Sequence, residues 1–77
     1  MLSKPLFNVE IGQRIRIARH QAEVDQLTLA KAIGYKSANA VHMMEVGAKL
    51  IRAVDLAEIA NFLGCTIRSL YPKGSVR

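Results

Sequence analysis

Two histidines (His20 and His42), one cysteine (Cys65) and six carboxylates are the groups in this 77-residue chain that could make or break bonds. Their spacing matches no zinc-ligand pattern, phosphate loop or nucleophile elbow. Cys65 stands alone after Gly64 at the end of an apolar run, which reads as a small core residue in a reducing compartment. His42 reads as a groove-edge or solvated residue rather than a metal ligand. No enzymatic reaction, metal or cofactor is therefore expected. What the residue types do offer is charge. Eleven Lys and Arg oppose six Asp and Glu, a net charge of +5. Such a balance attracts polyanions, whether DNA, RNA or an anionic membrane surface. Phe7, Phe62, Tyr35 and Tyr71 are the only aromatics, too few for a platform that stacks single-stranded bases.

The elements that must carry this charge are short helices. A chain of this length forms one small domain and buries only about 60% of its unfolded surface. Residues 1–8, with Pro5, read as an N-terminal arm, residues 9–72 as the folded domain and 73–77 as a tail. Ile11, Ile15, Ala18 and Ala22 form one helical stripe, predicting a first helix over about 9–22. Arg14, Arg16 and Arg19 fall mostly off that stripe, as does Ile17. Asp25 is an N-cap candidate for a second, short helix with Leu29, Ala30 and Ile33 on its apolar face, ended by Gly34. Ser37 caps a third, which turns Val41 and Met44 inward and closes near Val46 and Gly47. A basic loop with Lys49 and Arg52 leads to a fourth helix bearing Leu56, Ile59, Ala60 and Leu63, stopped by Gly64. Thr66 caps a last short helix with Ile67, Leu70 and Tyr71, and Pro72 prevents its extension. No period-two alternation is long enough for a strand, and no segment approaches the roughly 18 apolar residues of a membrane span. Residues 1–10 lack the apolar core of a signal peptide.

Two short helices joined by a tight glycine-containing turn describe a helix-turn-helix, here the second and third helices. At this point the chain resembles the Cro/repressor-type (XRE-like) helix-turn-helix family. The resemblance rests on Ile11-Gly12-Gln13-Arg14-Ile15-Arg16 at the opening and on Gln26, Leu29, Ala30 and Gly34 in the second helix and turn. It continues through Val41, Met44, Glu45 and Gly47, then Leu56, Ile59, Ala60, Leu63 and Gly64, and finally Thr66, Ile67, Leu70 and Tyr71. It implies an all-α, five-helix, lambda-repressor-like DNA-binding domain. The chain departs from the pattern in three places. Gly34 and Val41 are spaced by seven where the family usually has six, which reads as one residue inserted in the Tyr35-Lys36-Ser37 turn; the other register would turn Ala40 and Met43 inward. Met43 stands where polar residues are common. Arg52 stands where the family often has a Ser or Thr cap.

The resemblance implies a double-stranded DNA partner and a set of roles. Ser37, Ala38, Asn39, His42 and Met43 lie on the recognition helix, whose N-terminal part meets base edges in this motif. Asn39 suits adenine, Ala38 suits a thymine methyl, and Met43 suits an apolar groove contact. Gln26, Lys36, Lys49 and Arg52 are candidate phosphate contacts. Arg19 and Glu45 match positions that form a structural ion pair between the first and third helices. The motif usually works as a homodimer on half-sites about 34 Å apart, and Phe62, Ile67, Leu70 and Tyr71 are the interface candidates. A cytoplasmic regulator of bacterial or phage origin is expected, with repression the default sign. Two other readings stay open: an antitoxin that also binds a toxin through residues 1–8 or 72–77, and a protein-interaction module that has lost DNA binding.

Overall fold

The computed structural model of the chain describes residues 3–71, with side chains from Val9 onward. Five α-helices follow one another: α1 (Ser3–Gln21), α2 (Gln26–Ala32), α3 (Ala38–Glu45), α4 (Ala53–Leu63) and α5 (Ile67–Leu70). No strand occurs among the described residues.

α1 begins well before the expected start at residue 9, taking in most of the stretch read as an arm. Pro5 falls in its first turn, where the missing N–H would have no helical partner in any case. Ile11 and Ile15 are buried on its inner stripe. The next position on that stripe is Arg19, which is buried rather than off the apolar face as expected. Ala22 lies beyond the helix end and is exposed, while Ile17 is exposed as its position predicts. Pro72 and the tail from 73 to 77 lie outside the described residues.

Asp25 caps α2, its Oδ1 accepting from the Thr28 amide at 2.7 Å. That bond, to an amide at the positive end of the helix, holds the Asp25 carboxyl below its usual range. α2 is closed by Gly34, whose φ of +93° belongs to the left-handed region, while the Tyr35 amide donates back to the Ala30 carbonyl at 2.8 Å. A side chain would strain that conformation. Ser37 occupies the extended N-cap position of α3, yet its hydroxyl makes no capping bond. The Ala40 amide turns instead to the Ser37 carbonyl. Val41 and Met44 point into the core, so the turn carries the inserted residue and Ala40 and Met43 are only partly covered. Thr66 caps α5 through its Oγ1 and the Ser69 amide.

The core is Ile11, Ile15, Leu29, Ala30, Ile33, Val41, Met44, Leu56, Ile59, Ala60 and Leu70. Each large member contributes about 1.5–3 kcal/mol by leaving water. α3 packs on both α1 and α2, while α1 also meets α4 and α5. Two small residues make this approach close. Ala30 is fully buried where α2 meets α3. Gly12 lets α1 rest on the end of α3: a Cβ there would overlap the Met44 carbonyl and lie 2.6 Å from the Glu45 carbonyl oxygen.

Candidate nucleic-acid interface

Burial of Val41, Met44 and Glu45 fixes the rotation of α3. At 100° per residue, the opposite face must carry Asn39, His42, Met43 and Val46. Asn39, His42 and Val46 are exposed, and Met43 is partly so. Ser37 is exposed at the start of the helix and Ala38 is partly covered. His42 leans toward the Glu45 side of this face, facing α1 and α2, while Met43 leans away. Val46 was not among the expected reading residues. Its signal in the sequence is its spacing of seven from Asn39, two turns along the same side.

The rotation is held by a buried charged cluster. Arg19 and Glu45 are 7% and 5% exposed. Arg19 Nε donates to Glu45 Oε2 at 2.6 Å, and Arg19 Nη2 donates to Oε1 at 3.2 Å. Gln26 Nε2 donates to the same Oε1 at 3.0 Å. Arg19 Nη1 also donates to the Val24 carbonyl at 2.9 Å. The last turn of α1, the first residue of α2 and the last of α3 are thus tied at one carboxylate. Gln26, expected at a phosphate, spends its amide on this tie.

A second cluster pins the turn between α2 and α3 to the start of α4. Asp55 is buried; its Oδ2 accepts from the Tyr35 hydroxyl at 2.7 Å and from Arg52 Nε at 3.1 Å, and its Oδ1 accepts from Arg52 Nη2 at 2.9 Å. Burial pushes the Asp55 carboxyl up, but the bonds from Arg52 and Tyr35, with the charges of Arg52 and Lys49, outweigh it and hold the group below its usual range. The same bonds hold the Arg52 guanidinium above its usual range. Lys49 Nζ lies 4.4 Å from the centre of the Tyr35 ring, a cation–π contact. Arg52 and Lys49, both expected at phosphates, therefore have partners inside the chain, Arg52 while still exposed; Lys36 is exposed as well. Sequence reading missed Tyr35 and Asp55, since nothing local links a turn residue to a helix start twenty positions on.

A recess of about 330 Å³ opens where α1, α2 and α3 meet, lined by Arg16, Arg19, His20, Gln26, His42, Glu45 and Val46. On α4 and α5, Phe62 and Ile67 are 45% and 41% exposed. Leu70, expected at an interface, is 1% exposed and belongs to the monomer core. α5 is a single turn, and Leu70 is the residue it buries. Tyr71 is half-buried against that core. Among the described residues, no helix is long and apolar enough to cross a membrane, and no group of three or more His, Cys, Asp and Glu could hold a metal ion.

A short helix pair joined through a left-handed glycine, with the second helix buried on one side and open on the other, defines a helix-turn-helix domain. The restriction-modification controller protein C.AhdI from Aeromonas hydrophila is similar in structure, with a TM-score of 0.75 and 30% identity over 82% of this chain and 94% of that one. The chain belongs to the Cro/repressor-type, XRE-like helix-turn-helix family. The clp gene regulator ClgR from Corynebacterium glutamicum shares the fold, with a TM-score of 0.78 and 22% identity over 82% of this chain and 66% of that one. Hydroxypropylphosphonic acid epoxidase from S. wedmorenis also matches, with a TM-score of 0.78 and 25% identity over 86% of this chain. The match spans only 35% of that enzyme. A scan of protein-family models and a search of curated protein sequences gave no match.

Proposed function

We propose that this protein is a transcriptional repressor that reads double-stranded DNA as a homodimer, with α3 as the recognition helix in the major groove. One observation carries the reading. The inner side of α3 is locked by Arg19, Gln26 and Glu45, while its outer side leaves Asn39, His42, Met43 and Val46 uncovered. A helix with no packing partner on one face, on a domain of net charge +5, fits a groove about 12 Å wide.

In this reading Asn39 pairs with an adenine edge, Ala38 and Met43 touch thymine methyls, Ser37 meets the first base and His42 stands at the edge of the set. Lys36 and Lys49 meet phosphates on one flank, fixing register, while Gln26 contributes through the position it holds for Glu45 rather than through its own amide. Arg52 contributes less, because its fork is occupied by Asp55. Two copies meet through Phe62 and Ile67, with Tyr71 at the rim, and the isologous contact sets the two α3 helices on successive major grooves. Leu70 takes no part.

Selection of bound sequences from random duplex DNA tests the reading. Enrichment of an inverted repeat with half-site centres about one helical turn apart is expected. Failure to shift any duplex at low salt removes DNA binding and leaves a protein-interaction module.

A further inference from the structure

The recess between α1, α2 and α3 has an unusual lining. Its one carboxylate, Glu45, already has both oxygens occupied by Arg19 and Gln26. The charge of Arg19 is thereby spent within the protein. Arg16, His20 and His42 remain on the walls, all three exposed to solvent. The nearby Asp25 is committed to the Thr28 amide. On the other side of α1, Arg16 and His20 line a shallow surface with Gln13, Ile17 and Gln21, which add no negative charge, and the exposed Glu23 follows His20, its amide donating to the His20 carbonyl. The lining therefore offers one fixed positive group and two imidazoles, and its own carboxylate, Glu45, is already engaged; Glu23 lies outside the lining. Its volume, about 330 Å³, equals that of about eleven liquid waters, ample for a phosphate group and its hydration.

Its position matters as much as its lining. His42 and Val46 belong to the open face of α3, and Gln26 begins α2. A DNA strand bordering the groove that α3 enters would run past this mouth. We infer that the recess seats one phosphodiester of the bound DNA, with Arg16 as fixed charge and His20 and His42 as protonatable walls. The inference rests on the DNA-binding reading above and adds to it two residues, Arg16 and His20, and a pH dependence.

The sign follows from linkage. Histidine changes charge between about pH 5 and 8, and an imidazolium binds phosphate more tightly than an imidazole does. Binding then takes up protons, and affinity rises as pH falls through that range. His20 adds coupling: its Nε2 lies 3.5 Å from Arg19 Nη2. An anion seated beside this pair meets the guanidinium and the imidazole together. Phosphate arrival and protonation therefore favour each other.

The test is fluorescence anisotropy of a labelled duplex at pH 6 and pH 8, at constant ionic strength, on the full chain. Wild type should bind roughly five- to tenfold more tightly at pH 6, and its log–log salt slope should steepen by about one. His20→Gln should lose about half of the logarithmic pH gain, and His20→Gln/His42→Gln should bind equally at both pH values. Arg16→Gln should weaken binding at both. These side chains are exposed, so the variants keep the fold, which circular dichroism checks. A pH-independent wild type, or a double variant that keeps the full pH response, overturns the inference while leaving DNA binding intact. Absence of binding at either pH overturns both readings. A parallel NMR titration with inorganic phosphate distinguishes the source of the anion. Ring shifts of His20 at millimolar phosphate, together with pH-independent DNA affinity, would assign the recess to a small free anion and reject the DNA assignment.

Discussion

Arg19 and Glu45, 26 residues apart in the chain, meet through two nitrogen–oxygen contacts with their side chains almost wholly out of water. Removing one partner strands the other charge, which typically costs about 3–5 kcal/mol. Arg19→Met should therefore lower the melting temperature by roughly 12 °C or more for a domain of this size. Glu45→Gln should cost a comparable amount, since its NH2 would face the Arg19 or Gln26 donors and the buried guanidinium would lose its counter-charge. In a double-mutant cycle, Arg19→Met/Glu45→Gln should lose clearly less than the sum of the single losses. Strict additivity would mean that the pair does not act as a unit.

Gly12 tests the approach of α1 to α3. Alanine is worth about 1 kcal/mol more than glycine inside a helix, so Gly12→Ala would stabilise an isolated α1. Here the new methyl would run into the Met44 and Glu45 carbonyls, which are backbone and cannot swing aside. Net destabilisation of about 1–3 kcal/mol is expected from such overpacking. A rise in the urea midpoint would show that the two helices can part at no cost.

Acid should loosen the hinge between the turn and α4. Asp55 titrates below its ordinary range in the folded chain, so the unfolded state binds its proton first as pH falls. Its stabilisation is complete above the ordinary carboxylate range and is lost as pH drops through the lower folded value. Asp25 acts in the same direction. Urea midpoints should hold steady from pH 7 to 5 and then fall. Asp55→Asn should be weaker by about 1.5–3 kcal/mol at pH 7 and show a shallower acid limb. An unchanged acid limb in that variant would exclude Asp55 as its source.

Affinity for DNA should drop steeply with salt. For about five phosphate contacts the log–log slope is near −4 to −5. Lys49→Ala should weaken binding to all sequences alike and reduce the slope by about one, whereas Asn39→Ala should lose discrimination at particular bases. Competition binding against mutated sites reads both. Equal loss at every base in Asn39→Ala would remove that residue from the reading set.

Self-association should depend on the exposed end of α4 and the start of α5. Phe62→Asp and Ile67→Asp alter residues that are not in the core, so both variants should stay folded. Wild type should sediment as a dimer at micromolar concentration and the variants as monomers with weaker binding to an inverted repeat. Folded wild-type monomers that bind a half-site as well as a repeat would rule out the dimer.

Most of the architecture was legible because each helix announces itself locally. Asp25 and Thr66 mark helix starts with side chains that satisfy free amides, and Gly34 and Gly64 mark ends with backbone that other residues strain to adopt. The spacing of Ile11 and Ile15, or of Val41 and Met44, fixes which face turns inward. Even the inserted turn residue was readable, since only one register buries the larger side chains. The extent of α1 was not, because Pro5 signals a break in a helix interior but is harmless in a first turn.

What the sequence alone determined is therefore the set of helices and their inward faces, which follow from local geometry and short-range periodicity, and the family, which its residue pattern resembles. The tertiary structure decided which charged residues are spent inside the protein. Arg19 lies on an apolar stripe and Arg52 in a basic loop, and the sequence treats both as cations. The family resemblance supplied the Arg19–Glu45 pair, which the structure contains, but only the fold brings Asp55 with Tyr35 to Arg52, because ion pairing depends on distances between segments that periodicity does not encode. The same holds for Leu70, whose single helical turn gives no face until α1 and α4 close over it. It holds as well for His42, which joins Arg16 and His20, one turn apart on α1, only when α1 and α3 pack.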